Sequence, residues 1–101
     1  MSAYMIVTAK IADRDAFIAG YGAAAAALVE KFGGKYVLRA PGAELLEGTV
    51  GDGASMVISE WPDMAAAHAF WDSPEYAEVK KLRAGIADCQ VLLIEAPRIN
   101  D

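Results

Sequence analysis

Apolar and β-branched residues recur along the chain in stretches whose lengths are typical of β-strands. Their alternation and their content of Val, Ile and aromatic residues predict four strands. The predicted strands span residues 4–11, 35–39, 55–61 and 89–96. Each stretch is followed within two residues by a Pro or by a potential helix cap, which leaves the intervening segments for helices and loops.

A helix of about 19 residues is predicted between the first two strands. Asp13 can cap its first turn, and Gly33 and Gly34 can end it. Apolar residues recur at intervals of three and four along one face, which comprises Phe17, Tyr21, Ala24, Leu28 and Phe32. This spacing is typical of a helix that packs on a sheet.

Two further helical pieces are predicted after the third strand, at residues 64–72 and 74–84. Asp63 can cap the first piece with its side-chain oxygen. Ser73 and Pro74 occupy the cap and first helical positions of the second piece, where Pro loses no useful N–H.

The connection from Ala40 to Ala54 is long for a compact domain. Its Pro41-Gly42 and Gly51-Asp52-Gly53 sequences favour turns. Between them we predict a short bent strand at residues 44–48.

The order β-α-β-β-α-β with right-handed crossovers predicts an α+β, ferredoxin-like fold in one domain, residues 1–101. Helices would cover one face of its antiparallel sheet. The strands, however, are apolar on both faces, as Met5, Ile6 and Val7 illustrate. A sheet with one solvated face would alternate apolar and polar residues. We therefore predict a two-fold homodimer in which the second face is buried against another copy.

The net charge of -5 opposes binding to nucleic acid or to anionic lipid, because such binding requires clustered Lys and Arg. No apolar run approaches the roughly 20 residues of a membrane-spanning helix. The lone Cys89 cannot form an internal disulfide, and the N-terminus lacks the basic flank of a signal peptide. These features predict a cytoplasmic protein.

Four motifs in chain order carry a resemblance to a known family. They are Gly33-Gly34-Lys35-Tyr36-Val37-Leu38-Arg39, Leu46-Glu47-Gly48, Glu60-Trp61-Pro62, and Phe70-Trp71-Asp72-Ser73-Pro74-Glu75-Tyr76 followed by Arg83. Together they resemble a family of small bacterial proteins of unknown function within the dimeric α+β barrel superfamily. The resemblance implies ferredoxin-like protomers that pair sheet to sheet as a dimeric α+β barrel. It implies no single activity, since the wider group includes cofactor-independent monooxygenases, muconolactone-type isomerases and haem-binding peroxidases.

Four polar residues are candidates for binding or catalysis: Arg39, Glu47, Tyr76 and Arg83. A guanidinium can bind a carboxylate or enolate, a carboxylate can take a proton, and a phenol can donate to a developing oxyanion. The alternative is structural. Arg39 would then pair with Glu47 across a hairpin, and Tyr76 and Arg83 would brace the last helix.

Trp61 and Trp71 are candidates for lining a pocket that binds a flat apolar ligand, together with Phe17, Tyr21 and Phe70. They are equally candidates for the core, where aromatic residues ordinarily lie.

His68, the sole histidine, could serve as a base or haem ligand only with an orienting carboxylate and a cavity. It stands where the family pattern is variable, so surface or packing roles are favoured. One His and one Cys cannot complete a zinc site within one chain. No cofactor motif is present, and we expect no metal or cofactor.

The first functional hypothesis is a homodimer whose protomers hold an apolar pocket for a small organic molecule with an acidic or enolisable group. Such a protein could be a cofactor-independent monooxygenase- or isomerase-like enzyme. The alternative hypothesis is a non-catalytic binding or assembly module in which Arg39, Glu47 and Arg83 are structural. Haem binding through His68 is a third hypothesis.

Overall fold

In the computed structural model, which describes residues 1–99, four strands form one antiparallel sheet. They are β1 (Ser2–Ile11), β2 (Lys35–Ala40), β3 (Ser55–Trp61) and β4 (Ala87–Ala96). Their spatial order is β2-β3-β1-β4. This is the predicted ferredoxin-like arrangement, and each strand begins and ends within two residues of its predicted position.

Helices pack on one face of this sheet. The first helical region runs without interruption through α1 (Arg14–Phe17), a π-helical turn (Ile18–Gly22) and α2 (Ala23–Lys31). After β3 come α3 (Met64–Trp71) and α4 (Pro74–Lys80), followed by a 3-10 turn (Lys81–Arg83). The second helical piece therefore ends at Lys80 rather than at the predicted residue 84.

The predicted helix caps are formed. The side chains of Asp13, Asp63 and Ser73 each accept a hydrogen bond from the backbone N–H three residues later, at 2.8–3.1 Å. These bonds satisfy N–H groups that the first turn of a helix leaves without a partner. These caps fix the residue at which each helix begins.

Because of the π-helical turn, the helical face that points to the sheet differs from the predicted face. A π turn contains one more residue than an α turn, so the face that points to the sheet shifts after Gly22. Ala25 and Val29 are the buried residues of α2, whereas Ala24 and Leu28 of the predicted face are half-buried.

Residues 41–54 form a folded loop, and the strand predicted at residues 44–48 is absent from this part of the described chain. The Gly53 N–H donates to the Ala43 carbonyl at 2.7 Å, and the Ala43 N–H donates to the Ala54 carbonyl at 2.9 Å. An Asp52 carboxylate oxygen accepts from the Leu45 N–H at 3.2 Å. These bonds join backbone groups within the loop rather than to a neighbouring strand.

The best-buried part of the core lies between α3, α4 and one end of the sheet. Trp61 is 1% exposed there, and its ring centroid lies 5.0 Å from that of Phe70. Gly34 leaves room for this ring, because a Cβ at that position would lie 2.8 Å from the indole. Tyr76 completes the cluster, with its ring 4.5 Å from Phe70.

The opposite face of the sheet carries exposed apolar side chains. The strand register places Leu38, Ile58, Ile6 and Leu92 in one row across all four strands. Leu92 is 69% exposed and Ile94 is 53% exposed. This surface, called here the open face, confirms that the strands are apolar on both sides.

One end of the open face is covered by the chain after β4. The Tyr4 hydroxyl donates to a Glu60 carboxylate oxygen at 2.7 Å and accepts from the Ile99 N–H at 2.8 Å. Lys35 and Arg98 also lie 3.3 Å and 3.7 Å from that carboxylate. The hydrogen bond from Tyr4 holds the pKa of Glu60 below its ordinary value, against the opposing effect of burial.

Among the helices of residues 1–99, none combines the length and apolar character that crossing a bilayer requires.

Candidate functional site

A cavity of about 400 Å³ lies between the first helical region and the covered face of the sheet. Its floor includes Met5, Val7 and Val57, which strand alternation directs toward the helices. Its roof includes Ile18 and Val29. This volume is in the range of small-molecule sites, and the lining is largely apolar.

Small residues on the helix leave this space open. Gly22, Ala23, Ala25 and Ala26 all line the cavity. Without longer side chains they cannot fill the distance between the helix axis and the sheet, which side chains normally occupy at interior density. The alanine-rich stretch of residues 23–27 therefore borders a void over part of its length.

Two tyrosine hydroxyls meet at the wall of the cavity. The Tyr21 and Tyr76 oxygens are 2.7 Å apart, and both residues line the cavity. One hydroxyl donates to the other, so the accepting tyrosine keeps a proton that it can donate elsewhere. Burial, reinforced by Tyr76, raises the pKa of Tyr21 well above its ordinary value, so this phenol stays protonated. The Tyr21 hydroxyl is therefore a hydrogen-bond donor rather than a base.

Arg83 lies over the ring of Tyr21, outside the cavity lining. Its guanidinium lies 5.2 Å from the centre of the Tyr21 ring. A cation over an aromatic face is attracted by the ring quadrupole. Arg83 does not itself line the cavity, whereas Cys89 does.

Arg39 lines the cavity at the end of β2. Its guanidinium stacks 4.4 Å from the centre of the Tyr36 ring. Burial raises the pKa of Tyr36, and the Arg39 charge opposes that rise. Within residues 1–99 no ion pair joins Arg39 to Glu47, so the predicted hairpin pair is not formed.

The other candidate residues lie outside this lining. Glu47 is exposed in the loop, and Trp61 is in the core, where its indole N–H donates to Ser59 at 3.0 Å. The Trp71 ring lies 5.2 Å from the Tyr76 ring and does not line the cavity. Of the six candidates, the structure therefore brings Arg39 and Tyr76 to the cavity and places Arg83 one layer behind them.

His68 also lies apart from the cavity. Its side chain is 58% exposed on α3, and its Nδ1 lies 3.9 Å from an Asp72 carboxylate oxygen on the next turn. This is a solvated helix-surface pair, which contributes little stability. Residues 1–99 contain no cluster of three or more His, Cys, Asp or Glu side chains suited to a metal ion.

Sequence reasoning missed three polar residues of the cavity: Arg14, Ser55 and Ser59. An Arg14 Nη atom donates to the Ser55 hydroxyl at 3.3 Å. One signal was available: Arg14 stands in the first turn of its helix, where the helix dipole favours acidic residues. A cation there works against the helix, so another role could have been suspected.

Solved structures share this fold across nearly the whole chain. A protein of unknown function from Rhodopseudomonas palustris is 21% identical, with a TM-score of 0.78, over 96% of this chain and 83% of that one. SnoaB, a cofactor-independent oxygenase from Streptomyces nogalater, is 15% identical, with a TM-score of 0.71, over 98% and 96% of the two chains. A putative antibiotic biosynthesis monooxygenase from Bacteroides thetaiotaomicron is 12% identical, with a TM-score of 0.53, over 96% and 90%. At these identities the comparisons establish the fold alone.

No curated protein sequence matches the chain significantly. A family profile does match, over residues 2–97, and its description is "Domain of unknown function (DUF1330)". That match covers the sheet, both helical regions and every cavity residue named above. The chain therefore belongs to the DUF1330 family.

Proposed function

We propose that the cavity binds a small, flat organic molecule that carries an acidic or enolisable group. The observation that supports this proposal most directly is the apolar cavity of about 400 Å³ with the Tyr21–Tyr76 hydroxyl pair in its wall. Apolar walls would hold the body of such a ligand. The spare hydroxyl proton of the pair would donate to a carbonyl, phenol or enolate oxygen.

If the protein is an enzyme, cofactor-independent oxygenation or isomerisation fits this site best. The lining within the described residues contains no carboxylate and no imidazole, so the usual general bases are missing from the wall. The ligand would therefore need an acidic proton that it loses to solvent water, and the site would stabilise the resulting enolate with the phenol donor and Arg39. In the oxygenase version molecular oxygen is the oxidant: a CH2 group of the ligand becomes a carbonyl with one oxygen atom, and the other oxygen atom leaves as water with the two hydrogens. The shared fold of SnoaB is compatible with this chemistry.

A non-catalytic binding module is the second candidate, and the placement of Arg83 favours it. Its guanidinium lies over the Tyr21 ring, and Arg83 is not one of the residues that line the cavity. The arginine thus acts as a brace for the tyrosine pair. A binding protein needs the cavity and the pair but no activated base.

We further propose that two copies pair through the open face as a homodimer. The protomer is a slab of 33 × 33 × 17 Å. It exposes 6193 Å², compared with about 5500 Å² expected for a compact monomer of its mass. The apolar row on the open face is the surface that a second copy would cover.

The cavity proposal is tested by filling the cavity. Ala26 lines it, whereas the next residue, Ala27, is exposed on the same helix. Calorimetric titration with 2-acetylnaphthalene should show binding to the wild-type protein and to Ala27→Phe. Ala26→Phe should lose at least about tenfold in affinity, since its ring would occupy the ligand's volume.

Circular dichroism should show that both variants are folded. Equal binding by Ala26→Phe and the wild type would contradict the proposed site, and so would the absence of any binding to the wild-type protein.

A further inference from the structure

Two arginines stand at one edge of the cavity, and together they indicate what kind of ligand it takes. Arg14 and Arg39 both line it, from α1 and from β2. We infer that Arg14, Arg39 and Ser55 form an anion site that holds the carboxylate of an aromatic or other planar acid, with its apolar body directed into the cavity. This inference rests on the proposed function and narrows it to a ligand class.

The strand register places the two arginines near each other. Arg39 pairs with Val57 across the β2–β3 ladder. Arg14 hydrogen-bonds the hydroxyl of Ser55, two residues earlier on the same face of β3. Residues two apart on a strand are about 7 Å apart along it. Both arginines therefore lie at the same end of the sheet. The Ser55 hydroxyl beside them can donate a hydrogen bond to an anion or accept one from an arginine.

Neither arginine is neutralised by the protein. No ion pair within residues 1–99 includes Arg14 or Arg39, and no Asp or Glu of that range lines the cavity. Both side chains are exposed, so an anion from solvent can reach them. Asp13, next to Arg14 in sequence, is engaged with the Ala16 N–H as a helix cap.

The chemistry of the guanidinium group selects among anions. It is planar, weakly hydrated and able to bond both oxygens of a carboxylate in a forked geometry. Arg39 already stacks on the Tyr36 ring, which orients it at the cavity wall. A ligand with a carboxylate at one end and an apolar ring would satisfy the arginines and the apolar walls together, and a second oxygen could reach the tyrosine pair.

Two probes that differ only in charge test this inference. 2-Naphthoate carries a carboxylate, whereas 2-acetylnaphthalene is a neutral ketone of nearly the same shape. The test compares the dissociation constants of the two probes for four proteins: the wild type, Arg14→Gln, Arg39→Gln and the double variant. The preference for naphthoate over the ketone should fall about threefold to fivefold in each single variant and about tenfold in the double variant. Ketone affinity should change less than twofold.

Lys10→Gln is the matched control, because Lys10 is an exposed cation near the end of β1 that does not line the cavity. It should leave the preference unchanged, whereas 0.5 M NaCl should weaken naphthoate binding only. If the double variant prefers naphthoate over the ketone as strongly as the wild type does, the anion site is contradicted. If the ketone still binds in that case, the cavity proposal stands. If neither probe binds the wild type, the cavity proposal fails and this inference fails with it.

Discussion

Single residues decide whether helix and sheet touch or leave a gap. Gly34 lies where the indole of the buried Trp61 comes closest to the backbone. Gly22 and the alanines of α2 lie where no large side chain reaches across, and the cavity remains. A missing side chain thus allows close contact with Trp61 at Gly34, whereas small side chains at Gly22 and the alanines of α2 leave an open volume.

A pair of glycine substitutions tests the close contact. In Gly34→Ala the new Cβ would lie 2.8 Å from the Trp61 ring, which has no free space to move. We expect the free energy of unfolding to fall by about 1–3 kcal/mol. Gly20→Ala, where a Cβ meets nothing within 4 Å, should instead raise it by about 0.5–1 kcal/mol. Urea denaturation measures both, and a neutral Gly34→Ala variant would show that the ring is not held in this position.

Residue identity predicted part of the site. Arg39 and Tyr76 could be proposed from the chemistry of their side chains and the family resemblance, and both line the cavity. Trp61 could not be assigned, because strand alternation gives the face on which a side chain lies but not whether the opposing helix leaves room beside it. Arg14 was missed because its contact with Ser55 joins residues 41 positions apart.

At the scale of elements, periodicity and caps were sufficient to predict the strands and helix starts. Asp13, Asp63 and Ser73 form the expected side-chain hydrogen bonds. The π-helical turn could not be predicted, because one extra residue among Gly and Ala produces no visible break in an apolar pattern. Its consequence is functional, since the turn contributes Ile18, Tyr21 and Gly22 to the cavity.

The loop of residues 41–54 shows a second limit of local patterns. Its apolar residues Leu45 and Leu46 suggested a strand, but a segment becomes a strand only where its backbone pairs with a neighbouring strand. The Ala43 and Gly53 backbone groups are bonded within the loop instead. Long-range pairing, rather than local composition, decides such cases.

At the scale of the whole molecule, the two apolar surfaces have different proposed occupants. The cavity lies under the helices and would hold a small molecule, whereas the open face lies on the other side of the sheet and would hold a second protomer. Strands that are apolar on both sides predicted the homodimer from the sequence, and the structure leaves Leu92 and Ile94 exposed on the open face.

A charge on the open face tests the homodimer. Leu92→Glu would bury a carboxylate in the proposed interface, which is unfavourable without a partner. In sedimentation velocity we expect the wild type to be dimeric and Leu92→Glu to be monomeric at the same micromolar concentration. Val50→Glu is the control, because Val50 is also 69% exposed but lies in the loop. A wild-type protein that sediments as a monomer would contradict the proposed pairing.

The position of a bound probe distinguishes the two surfaces and tests the cavity proposal most directly. An isotope-filtered NOE spectrum of the carbon-13-labelled protein with unlabelled 2-acetylnaphthalene reports which methyl groups touch the probe. The cavity proposal predicts cross-peaks to the methyl groups of Val7, Val29 and Val57, which line the cavity. Cross-peaks confined to Leu92 and Ile94 on the open face would contradict it.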